Sequence, residues 1–247
     1  MNLKKMAVIG VATLTLALSS SGGAQAGFLQ NGGFETTTFG SGQLGYNTNA
    51  TGWSTSGYNF LFASGTADTT GSNGKFGNLT LWGPHNGSAN GLPASSPNGG
   101  NYVAADGAYE VGAIKQTLSG LTVGDSYAVG FYWAGAQQHG FSGATTEQWI
   151  VGFGTHTQST SIVNNVNHGF TGWQYTSFNF TAQTANDVLS FLAIGTPNGV
   201  PPFSLLDGVS VTAVTAVPEP TTLSALAIGL LGAGTIFLRR RALKTAV

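Results

Sequence analysis

Through residues 102–212, apolar side chains recur at every second position and almost nowhere at the three-to-four spacing of a helix. In 126–133, Tyr127, Val129, Phe131 and Trp133 share one face. Trp149 and Val151 share a face of 147–153, and 173–181 alternates in the same way. Shorter runs at 102–105, 113–118, 188–194 and 204–212 complete the set, with a Gly-Asp turn at 124–125. Strands at this spacing, joined by polar turns, predict an all-β fold, an antiparallel sandwich. Residues 36–101 differ. Long Gly, Ser, Asn and Thr stretches surround islands such as Tyr58-Asn59-Phe60-Leu61-Phe62; loops of this length are either functional or disordered, and these read as disorder or surface decoration ahead of function.

Both ends of the 247-residue chain look like addresses rather than fold. Lys4 and Lys5 precede an apolar stretch at 6–18, and Ala24-Gln25-Ala26 is a small-x-small cleavage site. Residues 1–26 therefore read as a secretory signal peptide forming a short signal helix, since 13 apolar residues are too few to span a bilayer as an anchor. At the other end stand Val217, Pro218, Glu219 and Pro220, then 18 uncharged residues at 221–238, then Arg239, Arg240 and Arg241. As a helix the uncharged run extends roughly 27 Å, enough for a single transmembrane helix whose arginines snorkel at one end. The basic end, 239–247, belongs in the cytoplasm by the positive-inside rule.

This tail, 215–247, resembles the PEP-CTERM sorting signal of Gram-negative bacteria in its Pro-Glu-Pro motif at 217–220, its helix and its arginine cluster, in that order. The resemblance implies recognition by an exosortase acting near Pro218-Glu219-Pro220. The residues taken alone also allow an uncleaved tail anchor. On the first reading the precursor sits in the inner membrane with its body in the periplasm, and the product goes on to the outer surface or the extracellular matrix.

Residues 27–214 then form the ectodomain, a length that suits one β-sandwich. Its only cations are Lys75 and Lys115, against eight acids, a net charge of −6 apart from histidine. Nothing there neutralises a phosphate backbone, so nucleic acid is excluded as a partner. The chain has no cysteine, so neither disulfides nor a thiol nucleophile contribute.

The order of short motifs in this body resembles the galactose-binding-like jelly rolls, which include carbohydrate-binding modules. The pieces are Phe28-Leu29-Gln30-Asn31-Gly32-Gly33-Phe34-Glu35 at the start, Gly52-Trp53, Tyr102-Val103-Ala104-Ala105-Asp106-Gly107, and Leu206-Asp207-Gly208-Val209 at the close. The resemblance implies a jelly-roll β-sandwich. It also implies that Glu35 and Asp207, on the first and last strands, hold a structural calcium, since carboxylates are the hard donors that ion takes. A second acid common in the family is replaced here by Gly208. The plainer alternative makes Glu35 a turn cap and Asp207 an acceptor of backbone amides.

Trp53 and Trp82 stand among glycines and polar residues, where an exposed ring can stack on a sugar. Trp133, Trp149 and Trp173 lie in alternating strands and read as core. His85, His139, His156 and His168 form no zinc motif. Asp106, Glu110, Glu147 and Asp187 could in principle pair as a glycosidase acid and base, but sequence gives no separation between them. The leading expectation is an exported, non-enzymatic surface or matrix protein in contact with extracellular polysaccharide. The alternatives are a carbohydrate-binding module with a defined glycan site, and a secreted polysaccharide hydrolase.

Overall fold

A computed structural model describes residues 27–214. The signal peptide expected at 1–26 and the sorting tail expected at 215–247, with its helix at 221–238, lie outside the described residues. The strands are β1 (Gly42–Gln43), β2 (Asn59–Phe62), β3 (Ser72–Gly74), β4 (Gly77–Leu79), β5 (Tyr102–Asp106), β6 (Ile114–Thr117), β7 (Ser126–Gln137), β8 (Thr145–Phe153), β9 (His156–Ser159), β10 (Val163–Asn165), β11 (Gln174–Thr181), β12 (Val188–Thr196) and β13 (Pro202–Ala213). Among the described residues no helix is long and apolar enough to cross a membrane.

One sheet runs β1-β2-β5-β13-β7-β11 and a second β10-β8-β12-β6, with β9 folded back onto β8. Every pairing between these strands is antiparallel. From β5 to β8 the chain alternates between the sheets, and it does so again from β11 to β13, which is the jelly-roll form of sandwich. The strands expected from alternation at 102–105, 113–118, 126–133, 147–153, 173–181, 188–194 and 204–212 are β5, β6, β7, β8, β11, β12 and β13.

Alternation decides which side chains fill the space between the sheets. Val129, Phe131 and Trp133 of β7 meet Trp149, Val151 and Phe153 of β8 and Leu189 and Phe191 of β12. The two buried indoles keep their N–H groups satisfied, Trp133 on Thr176 Oγ1 at 2.9 Å and Trp149 on the Leu205 carbonyl at 3.1 Å. Each such ring contributes roughly 1.5–3 kcal/mol by leaving water.

Residues 36–101 depart from expectation. They carry β1 to β4 and build a second core on the outer face of the six-stranded sheet. Phe60 and Phe62 of β2, Tyr102 and Ala104 of β5, and Phe203 and Leu205 of β13 point outward, and Leu79 of β4 with Leu81 and Leu92 from the loops cover them. The intervening Leu61 and Val103 point into the sandwich. The apolar island at 58–62 is thus strand β2 itself, and the leucines cover the part of the sheet, β2, β5 and β13, that is buried on both faces. Burial of those rings supplies the ordering free energy that a polar segment alone lacks.

The opening and closing motifs meet. Val209 donates its amide to the Gly32 carbonyl at 2.9 Å, and a Cβ at position 32 would lie 1.9 Å from the Val209 carbonyl oxygen. Only glycine permits that approach.

Candidate functional site

A cleft of about 330 Å³ opens at the edge of the outer core. Its walls come from distant parts of the chain: Tyr58 just before β2, Phe76 at the tip of the β3–β4 hairpin, Asp106 at the end of β5 and Tyr109 just after it, and Phe141 between β7 and β8. Gly107 makes the convergence possible. A Cβ there would lie 2.4 Å from the Gly195 amide, so the chain after β5 runs directly against β12. Gly107 donates to the Pro202 carbonyl at 2.9 Å and accepts from Gly195 at 3.0 Å. The Tyr58 amide in turn donates to the Glu110 carbonyl at 2.8 Å, fixing Tyr58 beside that turn.

The rings form one cluster. Tyr58 meets Tyr109 edge-on at 5.4 Å, and Phe76 lies 6.0 Å from Tyr58 and 6.1 Å from Tyr109. Phe76 is 57% exposed and Tyr109 44%. Exposed aromatics gathered in one concave place are unlike the scattered apolar residues of an ordinary surface. Asn78, Gln138 and Asn198 add amide groups to the walls.

Asp106 is the one acid lining this cleft. Its Oδ1 accepts the amides of Ala108 at 2.8 Å and Tyr109 at 3.0 Å, while Oδ2 is buried and has no hydrogen-bond partner. Burial pushes its pKa up to about 6, against the lowering effect of those two amides. The same burial, with the charges of Asp106 and Glu110 and the neighbouring Tyr109, raises the pKa of the Tyr58 phenol. Glu110 is held by Lys75 at 3.5 Å, and the Lys75 ammonium stands 5.0 Å over the Phe76 ring.

Asp207 lies in β13, whereas Glu35 precedes β1 rather than sitting on a first strand; the two are near enough for the Glu35 charge to act on Asp207. Asp207 is fully buried and accepts from the Ser96 hydroxyl and, at 2.6 Å, from the Gly208 amide. Burial raises its pKa to about 7, with the nearby Glu35 charge adding to the rise and hydrogen bonds from Ser96, Gly208 and Asn98 opposing it. Glu35 is exposed and accepts the Asn101 amide at 2.9 Å. Among the described residues no three His, Cys, Asp or Glu stand together, so a cation there would draw on these two carboxylates and neutral oxygens such as that of Asn98. The donors are of the hard oxygen type calcium takes.

Both tryptophans expected to offer free faces are otherwise employed. Trp53 is a correction: it is 6% exposed, donates to the Asn31 carbonyl at 3.0 Å and packs against Phe34 at 5.1 Å. Polar neighbours in sequence concealed a ring that faces the sandwich core. Trp82 is half-buried, with the His168 imidazole stacked at 3.8 Å and His139 at 4.3 Å. Its indole N–H donates to the Phe141 carbonyl at 2.8 Å. Trp133 and Trp149 are core as expected, and Trp173 is half-buried beside Tyr102. The cleft residues Phe76 and Tyr109 were overlooked by sequence reasoning. The available signal was a lone ring in a polar turn, Lys75-Phe76-Gly77, and a carboxylate followed closely by a tyrosine, Asp106 to Tyr109.

Several solved structures are similar to the chain. TmCBM61 in complex with β-1,4-galactotriose is 16% identical, with a TM-score of 0.42, covering 77% of this chain and 100% of that one. The CBM22-1 xylan-binding domain from Paenibacillus barcinonensis Xyn10C is 11% identical, with a TM-score of 0.35, covering 74% and 95%. Tailspike protein 4 of bacteriophage CBA120 is 11% identical, with a TM-score of 0.37, covering 76% and 21%. No curated protein matches the chain. The family model for the PEP-CTERM protein-sorting motif matches residues 216–241. The chain therefore carries a PEP-CTERM sorting motif at its C-terminus, behind an all-β body.

Proposed function

We propose that the protein is an exported, non-enzymatic surface or matrix component, processed by an exosortase, whose sandwich binds extracellular polysaccharide in the Tyr58–Phe76–Tyr109 cleft. The observation that carries this reading is the convergence of exposed rings, amides and one buried carboxylate in a single concavity. Pyranoses present apolar C–H faces that stack on rings and hydroxyls that pair with amides and carboxylates. A single carboxylate lining the cleft supports binding over hydrolysis, because glycoside hydrolysis uses two facing each other. The sorting motif supports delivery to the polysaccharide-bearing side of the cell. On this reading Glu35 and Asp207 hold calcium, which neutralises the buried carboxylate and clamps the first turn to the last strand.

A glycan array probed with the full-length chain, in a detergent without a sugar headgroup, tests the binding. Retention on polysaccharide-derived glycans, lost in a Phe76→Ala/Tyr109→Ala variant of unchanged melting temperature, is expected. An intact, folded chain that binds no glycan on the array overturns the carbohydrate reading.

A further inference from the structure

The charge around the cleft narrows the kind of sugar it takes. Resting on the carbohydrate-binding reading above, we propose that the cleft selects a sugar bearing a protonated amine, that is, an N-deacetylated amino sugar within a glycan. Its ammonium pairs with Asp106 Oδ2 and its ring stacks among Tyr58, Phe76 and Tyr109.

Three observations converge on an ammonium. Asp106 is 1% exposed, and only one of its oxygens is used by the protein. A buried carboxylate oxygen without a partner calls for a donor, and a charged donor serves it best. Second, the described residues supply no such donor. Lys75 and Lys115 are the only Lys or Arg within 27–214; Lys75 pairs with Glu110, and no ion pair reaches Asp106 among the described residues. Third, the ring cluster already hosts one ammonium. Lys75 Nζ lies 5.0 Å over the Phe76 ring while pairing with Glu110 at 3.5 Å, an arrangement of aromatic face and carboxylate that attracts a cation. Asp106, Tyr58 and Tyr109 set a carboxylate and rings together in the same cleft.

The same charges discriminate against other ligands. Asp106 and Glu110 both repel a uronate or a sulfated sugar, and the body's net −6 keeps such chains at a distance. A neutral sugar offers Asp106 a hydroxyl donor but no charge. An N-acetylated sugar keeps one neutral N–H donor but loses the charge and adds the bulk of an acetyl group.

Three tetrasaccharides with one backbone and one linkage separate these cases: β-1,4-linked glucosamine, N-acetylglucosamine and glucose, which differ only at the second carbon. Each is titrated calorimetrically into the full-length chain in a polyoxyethylene detergent at near-neutral pH. The glucosamine tetramer is expected to bind about tenfold tighter or more, the scale of one charge-assisted hydrogen bond. Asp106→Asn keeps the Oδ1 acceptor for Ala108 and Tyr109 and should bring that affinity down to the level of the glucose tetramer. Asp125→Asn, which removes an exposed acid of the β6–β7 turn, should leave it unchanged. Phe76→Ala should weaken all binding without loss of folding. A preference for the glucose or acetylated tetramer, or no preference, overturns amine selection and leaves a glycan cleft standing. A preference that survives in Asp106→Asn assigns it to bulk charge and also overturns the proposal. Failure of all three tetramers, with no retention on the glycan array, overturns the carbohydrate reading itself.

Discussion

Tyr58 and Tyr109 meet edge to face, 5.4 Å between centroids and 86° between planes. They come from the two ends of a segment that leaves the six-stranded sheet through β2 and returns through β5. The contact depends on backbone rather than on ring attraction alone. Asp106 donates its amide to the Tyr58 carbonyl at 3.1 Å, and Tyr58 donates to the Glu110 carbonyl at 2.8 Å. The rings are therefore held before any ligand arrives, which lowers the entropy cost of binding.

Aromatic rings of the core and of the cleft should separate in chemical denaturation. Trp133→Ala should cost about 3–5 kcal/mol, because the ring is fully buried and the sandwich cannot collapse into the space. Trp53→Ala should fall in the same range. Phe76→Ala, at an exposed ring, should change stability by less than about 1 kcal/mol. A Trp53→Ala variant as mild as Phe76→Ala would place Trp53 functionally at the surface.

Much of the fold was legible because alternation is a physical signal: each strand from β5 to β13 that buries one face shows it at every second residue. The outer core was not legible. Phe60 and Phe62 belong to a strand buried on both faces, so Leu61 between them is also apolar and alternation vanishes. Its lid arrives as single leucines, Leu79, Leu81 and Leu92, in polar surroundings. The candidate site failed for a related reason. Trp53 looked exposed because its chain neighbours are polar, whereas Phe34 and Phe191, which bury it, lie far off in sequence. The nearness of Glu35 to Asp207 was readable only through motif order, not from either residue.

Stability should fall as pH rises through the neutral range. Burial raises Glu147 to about 8, Asp207 to about 7 and Asp106 to about 6, each above its ordinary unfolded value. Below the ordinary carboxylate range both states are protonated and no penalty exists. Above it the unfolded chain releases protons that the folded chain keeps, so stability declines until the pH passes about 8. Glu147 faces Thr145, Asn165 and Gly135, with Oε2 unpartnered and no cation opposing it among the described residues. Melting temperatures measured across that window should decrease with pH, and Glu147→Gln should flatten the slope. A curve that rises with pH contradicts the buried-acid assignment.

Calcium should act in the opposite sense on Asp207. An ion bound only by the folded state stabilises by mass action and removes the proton from the carboxylate it meets. Added calcium should raise the melting temperature, chelator should reverse the rise, and Asp207→Asn should abolish the response. Equal melting curves with calcium and with chelator at matched ionic strength remove the ion from the site.

Processing should depend on the motif rather than on the apolar run. Replacing Pro218, Glu219 and Pro220 by alanine leaves 221–238 and the arginines able to anchor, so unprocessed precursor should accumulate in the inner membrane. Fractionation that finds the variant released like wild type argues against exosortase recognition.

The most direct measurement is calorimetric titration of the glucosamine tetramer into the full-length chain beside its Phe76→Ala/Tyr109→Ala variant. The cleft assignment predicts saturable binding by the wild type and a loss of about tenfold or more in the variant, with melting temperature unchanged. Equal affinity in the two proteins would place the sugar elsewhere on the sandwich and contradict it.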